Sequence, residues 1–205
     1  MSVITISREL GSEGDLIANF VCEALGYERV DKDMLTHIAE EAGVDMDAVL
    51  EMEKGVTKRA RLVSGEMTSL YRKQASAFER RGNLDDKTYA GVLQETMERF
   101  ASEGHAIIVG RGGQMVLRNW PDALHVRLYA PAEVRVQRLM ARESISQAAA
   151  QRRVKQSDEQ KRQYIRQMHK NADWRNLKYY NLAIDTSRIS PEVAAQIIVQ
   201  AAKGV

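Results

Sequence analysis

The sequence predicts an α/β protein in which helices flank a parallel β-sheet. Three observations carry this prediction. The 205 residues with 44% hydrophobic content suit one globular domain spanning residues 1–205. Short apolar runs recur along the chain, and a helical pattern follows each of them. Strands that alternate with helices form parallel sheets with right-handed crossovers.

Four runs have the composition of strands that are covered on both faces. They are residues 3–6, 106–109, 124–129 and 182–185. The first is followed by a glycine turn at 7–14 and by a helix whose apolar face is predicted to carry Leu16, Ile17, Phe20, Val21, Ala24 and Leu25, ending at Gly26. The last is followed by a helix with Ser190 as N-cap, Pro191 at its first position and Val193, Ala194, Ile197, Ile198 and Ala201 on its apolar face.

Residues 31–103 differ from this alternation. They are helical in pattern, rich in methionine and charge, and free of proline. We expect a helical insertion between strands rather than an independent domain.

The net charge of +2 conceals an uneven distribution. Residues 142–178 hold ten basic and four acidic side chains, a net charge of +6, which leaves the rest of the chain at −4. The total argues against an extended anionic partner and against a disordered chain, whereas a small polyphosphate under the basic segment fits.

Cysteine content and the N-terminal sequence predict a compartment. The single Cys22 cannot form an internal disulfide, which favours a reducing environment. The start of the chain lacks a secretory pattern, and no apolar run approaches the ~20 residues that span a bilayer. We expect a cytoplasmic protein that does not associate with membranes.

The turn at residues 7–14 is the first candidate for phosphate binding. Ligands of open parallel sheets lie beyond the carboxyl ends of the strands, and glycines there let backbone N–H groups face an anion. The Walker A lysine and hydroxyl are missing, and Glu13 and Asp15 add negative charge. The alternative interpretation is a tight strand-to-helix turn that binds no ligand. A dinucleotide site using Asp31 ranks lower, because only Gly11-x-x-Gly14 of its fingerprint is present.

The turn at 110–113 places Arg111 among three glycines at the end of a strand. An arginine there can contact a phosphate with both nitrogens, although a solvent-facing arginine is the alternative. The four histidines show no spacing of metal ligands, and no metal site is predicted.

The basic segment follows a helix with Arg135, Arg138 and Arg142 on one face. It is too polar for a core, and a basic flap that closes over substrates suits phosphoryl transfer. A solvated helix face and a nucleic-acid patch are the alternatives, the latter weakened by the lack of clustered aromatic residues.

The ordered motifs together resemble the cytidylate kinase-like family of P-loop nucleoside monophosphate kinases. The resemblance rests on residues 4–14, 30–35, 110–113, 124–128, 130–135, 173–174 and 184–186. It implies a P-loop type of sheet with about five strands, an NMP-binding helical region at 31–103 and a basic lid at 143–178. It also implies transfer of the ATP γ-phosphoryl group to CMP or dCMP with Mg²⁺.

The resemblance assigns roles by position. Gly11, Ser12 and Gly14 would cradle the ATP phosphates, while Thr186 and Arg188 would lie near the adenine. Asp31 and Asp33 would border the monophosphate site, and Arg111 would hold the acceptor phosphate. Asp158 and Arg162 resemble an Asp/Arg pair of the lid, with Arg152, Arg153 and Lys161 as further lid cations. Arg111, Arg153 and Arg162 are the expected catalytic residues.

Two positions depart from the family pattern, since Glu13 replaces a glycine and Asp15 replaces a cation. Three hypotheses follow. The chain is a nucleotide kinase in which Arg8 or a lid cation replaces the missing lysine, a nucleotide-binding protein with little or no activity, or, as the weakest, a nucleic-acid binder. The expected partners are small nucleotides, and a homodimer stays open.

Overall fold

The computed structural model describes residues 3–41 and 89–205. They contain a five-stranded sheet in the order β2-β3-β1-β4-β5, in which every adjacent pair is parallel. The strands are β1 (Val3–Arg8), β2 (Glu28–Val30), β3 (Ala106–Val109), β4 (Ala123–Tyr129) and β5 (Leu182–Asp185). The α/β class and the parallel sheet are therefore confirmed.

Seven α-helices lie in the described residues. They are α1 (Gly14–Leu25), α2 (Lys32–Glu41), α3 (Tyr89–Glu103), α4 (Gly113–Val116), α5 (Ala132–Glu143), α6 (Gln147–Met168) and α7 (Pro191–Ala202), with a 3₁₀ turn at Leu177–Tyr179. Gly26 ends α1 with a φ of 65°, which a residue with a Cβ rarely adopts. The Ser190 hydroxyl caps α7 by accepting from the backbone N–H of Val193 at 3.4 Å. Both predicted boundary signals are confirmed.

Two apolar layers cover the sheet. Ile4 and Ile6 of β1 point to one face and pack with residues of α1 and α7, whereas Val3 points to the other face and packs with residues of α2 and α3. Successive residues of a strand face opposite sides, so a strand buried on both faces is apolar at nearly every position. This is why the strand runs were recognisable in the sequence.

The sequence patterns did not predict β2. They also assigned three residues that face solvent to the apolar faces of α1 and α7. Of the three residues in β2, only Val30 is buried, and it pairs with Ile108 at the edge of the sheet. Leu16, Val193 and Ile197 were expected to point inward but are 43%, 47% and 37% exposed. Each lies at the margin of its helix's apolar stripe, where periodicity alone does not fix the boundary with solvent.

The expected helical region 31–103 is described only in part. Helices α2 and α3 lie at its two ends, and residues 42–88 lie outside the described residues. Its role as an NMP-binding region stays a prediction.

Helix α6 packs on α5 rather than on the sheet. Val136 and Leu139 of α5 form a separate small core with Ala150 and Val154 of α6. Its 22 residues correspond to about 33 Å at 1.5 Å per residue. In the described part of the chain, no helix is long and apolar enough to cross a membrane.

Candidate active site

The turn after β1 is held in a compact shape by its own polar groups. Gly11 has a φ of 82° and Glu13 a φ of 58°. The Ser12 hydroxyl donates to the carbonyl of Glu9 at 2.8 Å, and the Thr186 hydroxyl donates to the carbonyl of Ser12 at 3.0 Å. The structure thus brings Gly11, Ser12 and Thr186 together, with both hydroxyls bonded to backbone. Their contacts with ATP stay predictions.

Two glycines of this turn are needed for close packing. A Cβ at Gly14 would lie 2.3 Å from the Cβ of Arg8, and one at Gly11 would lie 2.7 Å from the carbonyl oxygen of Arg135. A side chain at either position would displace the arginine beside it. The glycines therefore set where these two arginines lie, whatever ligand the turn binds.

Acidic side chains of the turn are matched by arginines from other elements. Asp15, which the resemblance sets in place of a cation, pairs with Arg8 at 3.3 Å and with Arg29 at 2.9 Å. Glu13 pairs with Arg138 at 3.5 Å. The negative charge that argued against phosphate binding is thus largely balanced.

The third acid, Glu9, belongs to a set of four residues that we call the buried ion-pair cluster: Glu9, Arg127, Arg135 and Asp158. The Glu9 carboxylate lies 3.1 Å from Arg127 and 3.5 Å from Arg135, and all three side chains are less than 10% exposed. Arg135 also donates to both oxygens of Asp158, at 3.0 and 2.8 Å. The cluster therefore joins the turn after β1 to β4, α5 and α6.

The pKa of Arg135 reflects this pairing. Burial alone would lower it, but the hydrogen bonds to Asp158 and the charges of Glu9 and Asp158 outweigh burial and raise the pKa above its ordinary value. Arg135 was expected on a row that is usually solvated, yet it is 4% exposed and fixed between two carboxylates.

The second turn, at residues 110–113, lies next to the first because β3 and β1 are neighbours. Gly110 has a φ of 86°, and a Cβ there would lie 2.3 Å from Nη1 of Arg8. The guanidinium of Arg111 lies 5.1 Å from the ring centre of Tyr164 on α6. The predicted phosphate-binding arginine thus lies under α6, beside Arg8.

Between the end of β1, the turn at 110–113 and α6 is a cavity of about 210 Å³, which we call the cation-lined cavity. From the first turn it is lined by Ser7 and Arg8, whereas Gly11, Ser12 and Gly14 are not among its lining residues. Four basic residues line it, Arg8, Lys32, Arg111 and Lys161, and the described lining includes no acidic residue. Its other lining residues are Ser7, Val109, Gly110, Gly112, Gln114, Ser157, Gln160, Tyr164, Ile165 and Trp174. A concave, positively charged space at the carboxyl ends of parallel strands is suited to bind phosphate.

Lys161 is the basic residue that α6 contributes. Its Nζ donates a hydrogen bond to the carbonyl of Arg8 and lies 4.9 Å from the ring centre of Trp174. Burial, together with the nearby charge of Arg8, lowers the pKa of Lys161 to about 7, against the opposing effect of Asp158, Glu9 and Asp15. Its charge is therefore sensitive to pH near neutrality and to any anion that enters the cavity.

Trp174 forms one wall of the cavity and is 1% exposed. Its carbonyl accepts a hydrogen bond from the hydroxyl of Tyr180 at 2.6 Å, and that hydroxyl accepts from Nε2 of Gln114 at 3.0 Å. Burial raises the pKa of Tyr180, so it stays a donor across the neutral range. These bonds fix the wall to the start of α4.

A smaller cavity of about 170 Å³ shares Arg111 and Tyr164 with the first one. Its lining mixes apolar residues of α3 and α4, among them Leu93 and Met115, with the polar side chains of Gln94 and His169. The two spaces are neighbours that meet at Arg111 and Tyr164.

Several predicted site residues lie outside the cation-lined cavity. Arg153 pairs with Glu143, and Arg162 pairs with Glu159 at 2.7 Å, with both arginines more than half exposed. Asp158 belongs to the buried ion-pair cluster. Asp31 accepts from the backbone N–H groups of Asp33 and Met34 at 3.1 and 3.2 Å, which caps α2. Asp33 and Arg188 are exposed. Their proposed contacts with substrate stay predictions.

Sequence reasoning missed Lys32 and Tyr164 as cavity residues. Lys32 starts α2 directly after Asp31, and no pattern separates it from other surface lysines. Tyr164 and Lys161 lie three residues apart on α6, a spacing that puts them on one face, but the sequence does not tell which face meets the sheet.

One histidine of the sheet, His125, and the distribution of metal-ligating side chains bear on the question of a metal site. His125 lies in β4, where its Nδ1 is 2.8 Å from the Thr5 hydroxyl and its Nε2 is 3.2 Å from the carbonyl of Leu117. These contacts give His125 a structural role between β1 and the residues that follow α4. Within residues 3–41 and 89–205 no group of three or more His, Cys, Asp or Glu side chains could hold a metal ion.

Comparison with known proteins agrees with this architecture. The model of the cytidylate kinase-like family matches residues 3–188. A protein named cytidylate kinase from Natronomonas pharaonis is 28% identical over 200 residues, covering 97% of this chain and 88% of that protein. A solved structure of an uncharacterized protein from Eubacterium ventriosum is 17% identical with a TM-score of 0.72, covering all of both chains. A gluconokinase structure from Sinorhizobium meliloti is 15% identical with a TM-score of 0.51, covering 99% of this chain and 94% of that chain.

Proposed function

This chain belongs to the cytidylate kinase-like family, and we propose that it transfers the γ-phosphoryl group of ATP to a nucleoside monophosphate, with CMP or dCMP as acceptor. The observation that carries the proposal is the cation-lined cavity, in which four basic residues from four parts of the chain surround a space at the carboxyl edge of the sheet. The family match and the named relative support the same reaction class.

The chemistry of phosphoryl transfer suits this arrangement. The protein has little covalent work to do, because the transferring group mainly needs in-line positioning and positive charge around its oxygens. Arg8 and Arg111 approach the cavity from the two strand ends, and Lys161 approaches it from α6. Helix α6 lies over the cavity, and with substrates bound it would limit the access of water to the reacting phosphate.

The acceptor nucleotide would place its phosphate beside Arg111 and its base in the neighbouring smaller cavity. Arg111 lines both spaces, so one residue can hold the phosphate while the base contacts Met115 and Met168. Methionine side chains adapt to flat ring systems, which suits a base-binding role. CMP as the acceptor rests on the family and on the named relative.

The Mg²⁺ that accompanies ATP fits this site as a partner of the nucleotide. Magnesium usually keeps several waters and binds through substrate phosphates. The described lining of the cavity includes no carboxylate, so the ion would be held by nucleotide phosphates and water rather than by that lining. The described residues offer no cluster of three or more ligands that would form a resident metal centre. Its chemistry would be neutralisation of the β- and γ-phosphate oxygens.

A direct test is to incubate the pure protein with ATP, Mg²⁺ and each nucleoside monophosphate in turn, and to follow the release of ADP. We expect turnover with CMP or dCMP above the rate with other acceptors and above ATP hydrolysis alone. Absence of turnover with every acceptor at high protein concentration would contradict the proposal.

One observation favours a second candidate, a nucleotide-binding protein without catalysis. The resemblance sets Asp15 in place of a cation, and Asp15 pairs with Arg8, which also lines the cavity. Part of the positive charge of Arg8 is therefore balanced by the turn itself. Calorimetry separates the two candidates, because this one requires CMP or ATP to bind without ADP formation.

A further inference from the structure

The segment that joins Arg8, the last residue of β1, to the first turn of α1 supplies no cation. From Glu9 to Leu16 the sequence holds three acids and no lysine or arginine. Asp15 follows Gly14 directly, and its carboxylate faces Arg8 and Arg29. A phosphate bound against this turn therefore needs positive charge from another element.

Helix α6 brings Lys161 to the point where β1 ends. Its Nζ donates to the carbonyl of Arg8, the last residue of the strand. Asp158, one turn earlier on α6, is held by Arg135, which also lies 3.5 Å from Glu9. The buried ion-pair cluster thus fixes the helix so that Lys161 lies at the mouth of the turn.

We propose that Lys161 is the phosphate-binding lysine of this site, delivered from α6 in place of the lysine that the turn lacks. This inference rests on the proposed function, because it assigns the charge that reaches the transferring phosphate. An anion in the cavity competes with the Arg8 carbonyl for the ammonium group. Lys161 then exchanges a backbone hydrogen bond for a charge-assisted one.

The groups around Lys161 make this exchange measurable. Arg8 and Asp15 approach it from β1 and α1, Glu9 from the turn, and Asp158 from its own helix. Lys32 and Arg111 line the same cavity from α2 and the second turn, with Tyr164 on α6. Burial and the charge of Arg8 bring the pKa of Lys161 to about 7, and an arriving anion raises it because it favours the charged form.

The experiment follows the titration of Lys161 in the full chain by NMR, with lysine labelled by ¹³C at Cε. The Lys161→Arg variant identifies the signal. Inorganic sulfate is the probe, because it does not titrate in the neutral range. We expect a midpoint near 7 without sulfate and a midpoint raised by roughly one pH unit or more at saturating sulfate.

Variants add a second readout. Lys161→Met is expected to weaken sulfate binding roughly tenfold at about pH 6 and to have a smaller effect at about pH 9, where the wild-type amine is largely neutral. Lys155→Met, on the same helix two turns earlier, is the matched control and is expected to leave sulfate affinity unchanged. In the ATP assay, Lys161→Met should lower kcat about 10²-fold.

The outcomes separate this inference from the proposed function. A Lys161 midpoint that sulfate does not move, or a Lys161→Met protein that phosphorylates CMP with unchanged kcat and KM, overturns the role of Lys161 and leaves the function standing. A wild-type protein that turns over no nucleotide, while sulfate still shifts the Lys161 titration, overturns the function and keeps Lys161 as an anion-binding residue.

Discussion

Two groups of basic residues lie within one site, and they are used in opposite ways. In the buried ion-pair cluster, Arg127 and Arg135 face Glu9 and Asp158 and hold four elements together. In the cation-lined cavity, Arg111, Lys32 and Lys161 surround a space with no acid in its described lining. The comparison teaches that the place of a cation in the fold, more than the density of charge along the chain, separates a structural cation from one that lines the candidate site.

The largest expected effect comes from disrupting the buried ion-pair cluster. Glu9→Gln leaves Arg127 and Arg135 buried without their shared carboxylate, so we expect the free energy of unfolding to fall by about 3–5 kcal/mol. Urea denaturation measures this loss. The control Glu143→Gln removes a surface partner of Arg142 and Arg153 and should change stability by less than about 1 kcal/mol. Equal losses in the two variants would mean that the cluster contributes no more than a surface pair.

The next prediction concerns the loss of a cation from the cation-lined cavity. Arg111→Gln removes a cavity cation and should lower kcat/KM for the nucleotide reaction by roughly 10²–10³-fold. Its stability should change little, since Arg111 lies in a turn and not in the buried cluster. Arg99→Gln, which removes an exposed helical pair with Glu103, is the control. If Arg111→Gln kept full activity, the cavity would not be the site of transfer.

A glycine pair tests how the cavity is shaped. Gly110→Ala places a Cβ 2.3 Å from Nη1 of Arg8, whereas Gly26→Ala meets nothing within 4 Å, and both positions have positive φ. Both variants should lose about 1 kcal/mol of stability from backbone strain. Gly110→Ala alone should also weaken sulfate binding, by roughly tenfold, because it displaces Arg8. Equal sulfate affinities in the two variants would mean that Arg8 does not contribute to anion binding in the cavity.

The last prediction is a pH dependence of stability. The pKa of Lys161 is lowered to about 7 in the folded chain, below its value in the unfolded chain. Between these two values the unfolded state binds more protons, so stability should rise with pH there. The difference in unfolding free energy between wild type and Lys161→Met should therefore shift in favour of wild type from about pH 7 to about pH 10. A difference that stays constant across this range would mean that burial does not perturb Lys161.

Much of the fold followed from sequence because local patterns determine it. Strands buried on both faces are continuous apolar runs, and Gly26, Ser190 and Pro191 mark helix boundaries through their own backbone preferences. The edge strand β2 escaped recognition because two of its three residues are polar and not fully buried. Its place in the sheet comes from pairing with β3, a contact that is distant in the chain.

The sequence indicated the turns that form the candidate site, but it did not indicate which arginines pair with the acidic residues there. Arg111 among glycines pointed to the cavity directly, since few other roles explain three glycines around one arginine. The partners of Glu9, Glu13 and Asp15 come from β4, α5 and β2, far along the chain from the turn in most cases. The sequence therefore displayed the acids of the turn without the arginines that balance them.

Choosing among ten basic residues of the segment 142–178 was likewise beyond the sequence. Lys161 reaches the end of β1 because α6 is packed on α5 through Val136, Leu139, Ala150 and Val154. Arg153 and Arg162 lie on other faces of the same helix and pair with Glu143 and Glu159. The rotation of one helix decides which cation enters the cavity.

The central claim is that the cation-lined cavity holds the transferring phosphate. A crystal structure of the protein with CMP and a non-hydrolysable ATP analogue tests it most directly. The account predicts phosphate oxygens within hydrogen-bond distance of Arg111 and of Nζ of Lys161, with the Arg8 carbonyl released. Phosphates bound at the outer face of α6 against Arg162 and Arg166, with the cavity filled by neither nucleotide, would contradict it.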